Sequence, residues 1–315
     1  MKPLPAAVTS DIDTLASIYK GHGCRRPGGY TYAELQMGLE NFFRFLEPYG
    51  IKATLFMVGT DFLNDNSRHM IRSIPAIGHE IANHTLSHIQ GFRFLSPREK
   101  EKEIASMEEL CVRVTGLRPV GFRAPGWNIS DDALPILQSR GYLYDSSIFS
   151  TFLMPAMKLM HWLVTYRRSA GDRTTMGSLK HMMAPSIPYR TGKTSFSKKG
   201  KAGLVEFPIT VTPFLRLPFF ATSLLGAGLN HFKRSCQSLR RKNRPIQLQF
   251  HLSDFVNYSH ADLTDQVPQN VSGAYVPASL YMNLEKKIDV FKQAVDIVAE
   301  HYSFETLANW SRRIA

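Results

Sequence analysis

The sequence predicts an α/β fold in which parallel strands form a sheet or a barrel. Short apolar segments alternate with longer amphipathic ones along the 315 residues, and residue types suited to catalysis follow the apolar segments. The composition is that of an ordinary globular protein, 43% hydrophobic and 20% charged. We therefore expect one catalytic domain over residues 1–315, interrupted by two insertions.

The alternation begins with a small apolar strand at residues 5–10. The helix that follows carries apolar residues at helical spacing and ends at Gly50, a suitable C-cap. A charged helix begins at Pro97, directly after Ser96 as its N-cap. The predicted strands are residues 5–10, 52–58, a segment before His84, 204–211 and 245–251, and the predicted helices are residues 32–49, 67–77, 97–115, 130–140 and 283–302.

Two stretches depart from this alternation, and we place insertions at about 149–203 and 213–244. Residues 149–162 are rich in Met, Phe and Leu and precede the basic segment 166–168, while 213–229 are apolar and precede the basic run 233–244. An apolar surface helix beside Lys and Arg suits an anionic membrane surface. The other interpretation is that both insertions pack on the barrel and the basic runs are solvated loops.

Metal chemistry is indicated by His84 and His88 together with Asp11 and Asp13. Histidines four apart lie on one face of a helical turn, and neutral imidazole is a common ligand of zinc and related ions. Residues two apart on a strand face the same way, so one aspartate could bind the ion while the other stays beside it. Two histidines, one aspartate ligand and one free aspartate are the parts of a metal-assisted hydrolase.

The order of several motifs resembles the NodB-type polysaccharide deacetylase family. The matching stretches are Val-Thr-Ser-Asp-Ile-Asp at 8–13, Ala-Thr-Leu-Phe-Met-Val-Gly at 53–59, Gly-His-Glu-Ile-Ala-Asn-His-Thr-Leu-Ser-His at 78–88, Gly-Phe-Arg-Ala-Pro at 121–125 and Leu-Gln-Phe-His at 248–251. The resemblance implies a distorted (β/α) barrel with about seven parallel strands. Its active site would lie at the carboxyl ends of those strands, where barrel enzymes place their catalytic residues.

The resemblance also implies a role for each motif residue. Asp13, His84 and His88 would bind the metal, and Asp11 would be the general base, although the residues alone also allow the two aspartates to be exchanged. Arg123 would orient the catalytic aspartate. His251 would be the general acid that protonates the departing amine.

The sequence directly after the Gly-Phe-Arg-Ala-Pro motif at 121–125 departs from the family pattern. Gly126 stands where the family usually has tyrosine, and Trp127 follows it. A backbone N–H that could bind the oxyanion is retained, but the tyrosine ring is lost. Trp127 could stack on a sugar face or belong to the core. This departure leaves room for a sugar other than the usual polymer subunit.

The formal charge of +12 indicates an anionic partner, such as nucleic acid, a phosphate-bearing substrate or an acidic membrane surface. No RNA-binding motif, zinc finger or helix-turn-helix signature is visible, so nucleic acid is not expected. The three cysteines have neither zinc-ligand nor disulfide spacing. Without a visible secretory signal or an apolar run of about 18 residues, we expect a cytoplasmic protein, peripheral on the inner face of the cytoplasmic membrane.

These observations predict a metal-dependent amide hydrolase that removes an acetyl or formyl group from an amino sugar. Asp-Ile-Asp-Thr at 11–14 and Pro-Gly-Trp at 125–127 are similar to the family branch that acts on polyprenyl-phosphate-linked sugars. We expect one divalent ion, zinc first, with cobalt, nickel and manganese as alternatives. Deacetylation of soluble glycan oligomers such as chitin or peptidoglycan fragments is the alternative function, and a non-catalytic membrane-surface binding protein is the second.

Overall fold

The computed structural model describes residues 3–15, 32–165, 177–201, 203–260, 263, 280 and 282–314. The predicted basic segment 166–168 lies outside these residues. None of the helices within the described residues has the length and apolarity that crossing a membrane requires.

A curved, mostly parallel sheet forms the centre of the molecule. The described strands are β1 (Leu4–Ile12), β2 (Thr54–Met57), β3 (Glu80–Asn83), β4 (Gly121–Phe122), β5 (Tyr144–Asp145), β6 (Tyr189–Arg190), β7 (Val205–Glu206), β8 (Ile246–His251) and β9 (Tyr302–Phe304). Their order is β6-β7-β5-β4-β3-β2-β1-β8, with β9 also paired to β1.

The seven strands from β7 to β8 are joined by parallel pairing, which confirms the predicted fold class, and β9 adds an eighth parallel strand beside β1. β6 is an additional antiparallel strand beside β7. β1 is the longest strand and is buried along most of its length. Its register aligns Asp11 with Phe56 of β2 on one side and with His251 of β8 on the other.

Helices cover the outside of this sheet. They are α1 (Tyr32–Leu46), α2 (Asp65–Ala76), α3 (Pro97–Thr115), α4 (Ala133–Ser139), α5 (Met154–Thr165), α6 (Ala221–Ala227), α7 (Leu229–Arg241), α8 (Leu284–Ala299) and α9 (Leu307–Ile314). Ser96 caps α3 in a reciprocal capping box with Glu99, as the sequence predicted. Gly50 adopts the left-handed conformation after the short 3₁₀ turn that ends α1.

The second predicted insertion, 213–244, includes a helix of this outer layer. α7 packs against α8, and its Phe232, Cys236 and Leu239 lie in the main core. These positions recur at helical spacing, so their burial leaves the basic residues of α7 on the outer face.

Candidate active site

The side chains singled out by the motifs meet at the carboxyl ends of neighbouring strands. Asp11 is the second-last residue of β1, and His251 is the last residue of β8. His84 directly follows β3, and Arg123 directly follows β4. Parallel strands present their carboxyl ends at one edge of the sheet, which brings residues distant in sequence together. This edge holds the candidate active site.

Asp11 and Arg123 form a buried ion pair. Arg123 Nη1 donates a hydrogen bond to Asp11 Oδ1. The guanidinium is fixed on its other side by Nε donating to Ser146 O (3.0 Å) and Nη2 donating to Ser146 Oγ (2.9 Å). Its Cζ lies 3.9 Å from the centre of the Phe56 ring. Gln249 Nε2 donates to the other oxygen of Asp11, Oδ2, at 2.9 Å, so the carboxylate is held at both oxygens.

The segment from His84 to His88 is a loop, and the predicted helical turn is wrong. Thr85 and His88 have φ of 68° and 53°, which a right-handed helix excludes. The loop is held because Thr85 N donates to Asn83 Oδ1 (2.8 Å) and His88 N donates to Thr85 Oγ1 (3.1 Å). The two imidazole rings still lie 4.9 Å apart between centroids.

Asp13, His84 and His88 have the donor atoms for a divalent cation. His84 Nδ1 lies 2.7 Å from Arg123 O, an interaction that orients the ring and leaves Nε2 available. His88 Nε2 lies 3.7 Å from Asp13 Oδ2. The other oxygen, Asp13 Oδ1, is buried and accepts no hydrogen bond from the described residues. A cation would satisfy that oxygen, so the residues fit a metal ion chemically.

The geometry of this group is not that of an assembled metal site. Within the described parts of the chain, no three His, Cys, Asp or Glu side chains are arranged closely enough to hold an ion as they stand. Binding would therefore require Asp13, His84 and His88 to move closer together.

The two aspartates have opposite electrostatic environments. Burial raises the pKa of Asp13 to about 7, and the nearby Asp11 charge adds to this effect while His251 opposes it. Burial also acts to raise the pKa of Asp11, but the charges of Arg123, His84 and His251 outweigh it and hold that pKa below its ordinary value. Asp11 is thus the aspartate kept ionised by the protein itself.

His251 lies on the opposite side of Asp11 from Arg123. Its Nε2 is 4.0 Å from Asp11 Oδ2, and its backbone N–H donates to Asp254 Oδ2 at 2.9 Å. Burial acts to lower the pKa of His251, but the charges of Asp13, Asp11 and Asp254 raise it overall. A protonated imidazole beside two aspartates is suited to give up a proton.

The turn after Arg123 contains both Gly126 and Trp127 in left-handed conformations, with φ of 59° and 54°. The indole of Trp127 is buried and packs on Phe149 (4.8 Å) and Phe220 (6.0 Å). Trp127 is therefore mainly a core residue. Roles of Gly126 in binding an oxyanion and of Trp127 in binding substrate remain predictions.

The side chains around Arg123 on β5 and β7 were not predicted as site residues from the sequence. Asp145 and Glu206 are register partners on β5 and β7, and both are fully buried. Ser146 and Ser147, directly after Asp145, bind Arg123 and the backbone N–H of Ala124. The run Asp145-Ser146-Ser147 places a carboxylate and two hydroxyls side by side, which was visible in the sequence. It was not recognised as a strand end because β5 has only two residues.

Two solved structures share the fold of this chain. A provisionally assigned polysaccharide deacetylase from Mycobacterium smegmatis aligns over 97% of this chain and 94% of its own, with a TM-score of 0.53 and 18% identity. The Puue allantoinase aligns over 98% and 89%, with a TM-score of 0.56 and 11% identity. At these identities the likeness shows a shared fold, the deacetylase-type (β/α) barrel, and leaves the reaction open.

Part of the sequence is similar to one known family. Residues 31–144 match the family described as Polysaccharide deacetylase. This match confirms the family resemblance of the motifs for that segment, which includes His84, His88, Arg123, Gly126 and Trp127. The similarity to this family covers 114 of the 315 residues and leaves out Asp11, Asp13 and His251.

Individual relatives match over a similar length. A peptidoglycan deacetylase-like protein of Gibberella zeae is 31% identical over 115 residues, 36% of this chain and 33% of that protein. The peptidoglycan deacetylase of Helicobacter pylori is 26% identical over 120 residues, 38% of this chain and 40% of that protein. The similarity thus spans less than half of these relatives.

Proposed function

We propose that this protein is a metal-dependent amide hydrolase that removes an acetyl or formyl group from an amino sugar linked to polyprenyl phosphate. The observation that carries the proposal is the meeting of Asp11, Arg123 and His251 beside Asp13, His84 and His88 at one edge of the sheet. A general base, a general acid and a set of cation ligands are what amide hydrolysis requires.

Asp13, His84 and His88 would hold the metal, which when bound lowers the pKa of water and polarises the amide carbonyl. The unsatisfied buried oxygen of Asp13 supports its assignment as ligand. The Arg123 ion pair supports Asp11 as the base, because it keeps the carboxylate ionised and oriented. The environment thus favours one of the two assignments left open by the sequence.

Proton transfer would then be carried by Asp11 and His251. Asp11 accepts the proton of the attacking water, with Gln249 and Arg123 fixing its orientation. The protonated His251 donates its proton to the amine nitrogen as the C–N bond breaks. The products are the free amino sugar and acetate or formate.

The lipid-linked substrate is supported by features outside the chemistry. The chain carries a formal charge of +12, and apolar side chains are exposed on α5 and on the turn at Phe214. Both suit a substrate with an anionic phosphate in a membrane, on the cytoplasmic side. The alternative is deacetylation of soluble glycan oligomers, which the names of the two peptidoglycan deacetylase relatives favour.

Mass spectrometry of two substrates tests the proposal. Purified protein is incubated with a polyprenyl-phosphate N-acyl amino sugar in detergent and, separately, with short chitin oligomers. We expect loss of the acyl mass from the lipid-linked sugar, and a decrease of about 10²–10⁴-fold in this rate for Asp11→Asn. Asp65→Asn is the matched control, because the Asp65 side chain is 87% exposed in a surface ion pair.

The outcomes separate the alternatives. Turnover of the oligomers alone would replace the lipid-linked substrate by a soluble glycan. If Asp11→Asn retains the full rate, Asp11 is not the general base and the proposed mechanism is wrong. If neither substrate is turned over, the proposed function is wrong, which would leave the second alternative, a non-catalytic membrane-surface binding protein.

A further inference from the structure

An exposed apolar face lies on three segments beside the site. On α5, nearly every described side chain after the buried Met154 is at least partly exposed, although most of these residues are apolar. Met183 is 75% exposed, and Phe214 and Leu215 are 70% and 66% exposed. We call Leu159, Met160, Leu163, Met183, Phe214 and Leu215 the apolar face.

The three segments are locked together by Arg216. Its Nη1 donates to Met182 O (2.5 Å) and Ala184 O (2.9 Å), and its carbonyl accepts from Thr151 Oγ1 (2.8 Å). A pairing of Val211 with Pro218 closes a hairpin whose turn presents Phe214 and Leu215. The exposed side chains are therefore held by a defined scaffold.

The region that carries the apolar face is strongly positive. Residues 146–253 contain 17 Lys and Arg and two acidic residues, a net charge of +15, which exceeds the +12 of the entire chain. Among the described residues of this range the single acidic side chain is Glu206, and it is buried. Lys242 lies 5.2 Å from the Phe214 ring, so cations stand next to the exposed rings.

The apolar face also adjoins the candidate active site. Phe149 and Phe220 pack on Trp127, which belongs to the turn after Arg123. Phe149 leads into α5 and Phe220 follows the hairpin. A surface bound at the apolar face would thus lie next to the turn that borders the active site.

We propose that the apolar face docks on a bilayer that contains anionic lipids, with Phe214 and Leu215 inserted between headgroups. The choice of a lipid partner rests on the proposed function, since a membrane would deliver the lipid-linked sugar. Apolar insertion and attraction of Lys and Arg to anionic headgroups together favour interfacial binding. The surrounding positive charge is what selects a bilayer over an apolar protein partner.

Vesicle sedimentation tests this docking. The full chain is mixed with vesicles of phosphatidylcholine alone or with added phosphatidylglycerol. We expect binding to the anionic vesicles that weakens with salt. Phe214→Ser/Leu215→Ser should lower this binding by about a hundredfold, since each large apolar side chain contributes roughly tenfold or more.

Leu117→Ser/Ile77→Ser is the matched control, because these side chains are also exposed but precede β4 and β3 at the opposite edge of the sheet. It should bind vesicles like the wild type. Equal binding by Phe214→Ser/Leu215→Ser, or equal loss in both double variants, would overturn the docking. The docking would also be overturned if the wild type binds no vesicles and forms a dimer that dissociates in Phe214→Ser/Leu215→Ser, because the apolar face would then be an interface between two copies of the chain.

Failure of the docking can be distinguished from failure of the proposed function. Turnover of the lipid-linked sugar dispersed in detergent does not require a bilayer, so Phe214→Ser/Leu215→Ser should retain it. Detergent turnover without vesicle binding rejects the docking alone. Vesicle binding without turnover of any N-acyl sugar rejects the chemistry alone.

A second inference concerns Asp145 and Glu206, which are paired in register and have no exposed surface. Asp145 Oδ1 accepts from Ser147 Oγ (2.7 Å), and Glu206 Oε1 accepts from Ile148 N (3.0 Å). Two buried carboxyl groups side by side repel each other when both are ionised, and one proton held between them removes this repulsion. Burial, and next the charge of Asp145, raise the pKa of Glu206 well above its usual range.

The pair supports the turn that positions Arg123. Ser147 Oγ accepts a hydrogen bond from Ala124 N (2.9 Å), and Ser146 binds the guanidinium through its carbonyl and its hydroxyl. Movement of residues 146–148 would therefore displace Arg123 from Asp11.

We propose that Asp145 and Glu206 share one proton and act as positioning residues for Arg123. Glu206→Gln keeps a hydrogen-bond donor toward Asp145 and an acceptor for Ile148 N, so its kcat should stay within about threefold of wild type. Glu206→Ala loses both groups and should lower kcat by about 10²-fold, with KM little changed. Infrared spectra at pH 8 should show a protonated carboxyl band that disappears in Glu206→Gln.

Glu108→Gln is the control for the spectra, because Glu108 is ion-paired with Arg118 and Arg140. It should leave the carboxyl band unchanged. If the band persists in Glu206→Gln, or if Glu206→Gln loses as much kcat as Glu206→Ala, the shared proton is rejected.

Discussion

Arg123 Nη1 donates a hydrogen bond to Asp11 Oδ1 across 112 positions of sequence, and both side chains are buried. The guanidinium also donates to Ser146, so its orientation is determined before any substrate binds. An aspartate with a fixed, ionised carboxylate is suited to accept protons, and this pair therefore links the fold to the proposed reaction.

Replacing Arg123 by Lys should reduce kcat by about 10²-fold, because one ammonium group cannot reproduce the planar fork that binds both Asp11 and Ser146. Metal content should be unchanged, since Asp13, His84 and His88 are retained. Steady-state kinetics and elemental analysis measure the two quantities. Arg140→Lys is the control, as Arg140 forms a partly buried ion pair with Glu108 that does not include Asp11 or Ser146. Wild-type kcat in Arg123→Lys would contradict the positioning role.

His84→Ala should remove tight metal binding and turnover together, because a site with three protein ligands loses one of them. Chelation of the wild-type protein should likewise abolish turnover, and added zinc should restore it. Elemental analysis after dialysis gives the metal content. The control is His69→Gln, since His69 is exposed on α2. Full metal content and activity in His84→Ala would exclude His84 as a ligand.

Gly121→Ala should destabilise the fold by about 1–3 kcal/mol, the usual range for overpacking a core. A Cβ at Gly121 would stand 1.9 Å from Cζ of Tyr144, whose ring is buried. Gly226 provides the opposite case, because a Cβ there meets nothing within 4 Å and the residue lies in α6. Gly226→Ala should stabilise by up to about 1 kcal/mol. Urea unfolding measures both, and equal effects would refute the packing argument.

Acid should weaken the fold partly through His79. Its Nδ1 accepts from Ala53 N (2.9 Å) and its ring stacks on Phe43, while burial and then the Lys52 charge lower its pKa to about 4. The unfolded chain, with an ordinary value near 6.5, binds this proton more tightly. The free energy of unfolding contributed by neutral His79 is therefore complete above about pH 6.5 and decreases as the pH falls towards 4.

Thermal unfolding at pH 7.5 and pH 5 tests this contribution. His79→Gln should show a smaller decrease in Tm between the two pH values than the wild type. His69→Gln should behave like the wild type, because His69 is exposed. An unchanged decrease in His79→Gln would show that other groups govern the acid sensitivity.

Local chemistry made much of the fold and the candidate site visible in the sequence. Apolar segments of strand length, the Ser96 cap and Gly50 predicted elements that the structure has. Asp11 and His84 could be singled out by their spacing to Asp13 and His88, and Arg123 and His251 by the family resemblance of their motifs. Parallel strands place all four at one edge of the sheet. These features depend on neighbours within a few positions, so they can be read from one sequence.

The tertiary structure decided what depends on distant contacts. The loop of Thr85 and His88 replaces the expected helical turn because Asn83 and Glu103 satisfy its backbone, and Glu103 comes from a different element, α3. Arg123 gives the two aspartates different environments, and Phe149 and Phe220 place Trp127 in the core. The short strands β5 and β7 exist because register pairing completes them. Burial and pairing between residues far apart in sequence set these outcomes, and no local pattern encodes them.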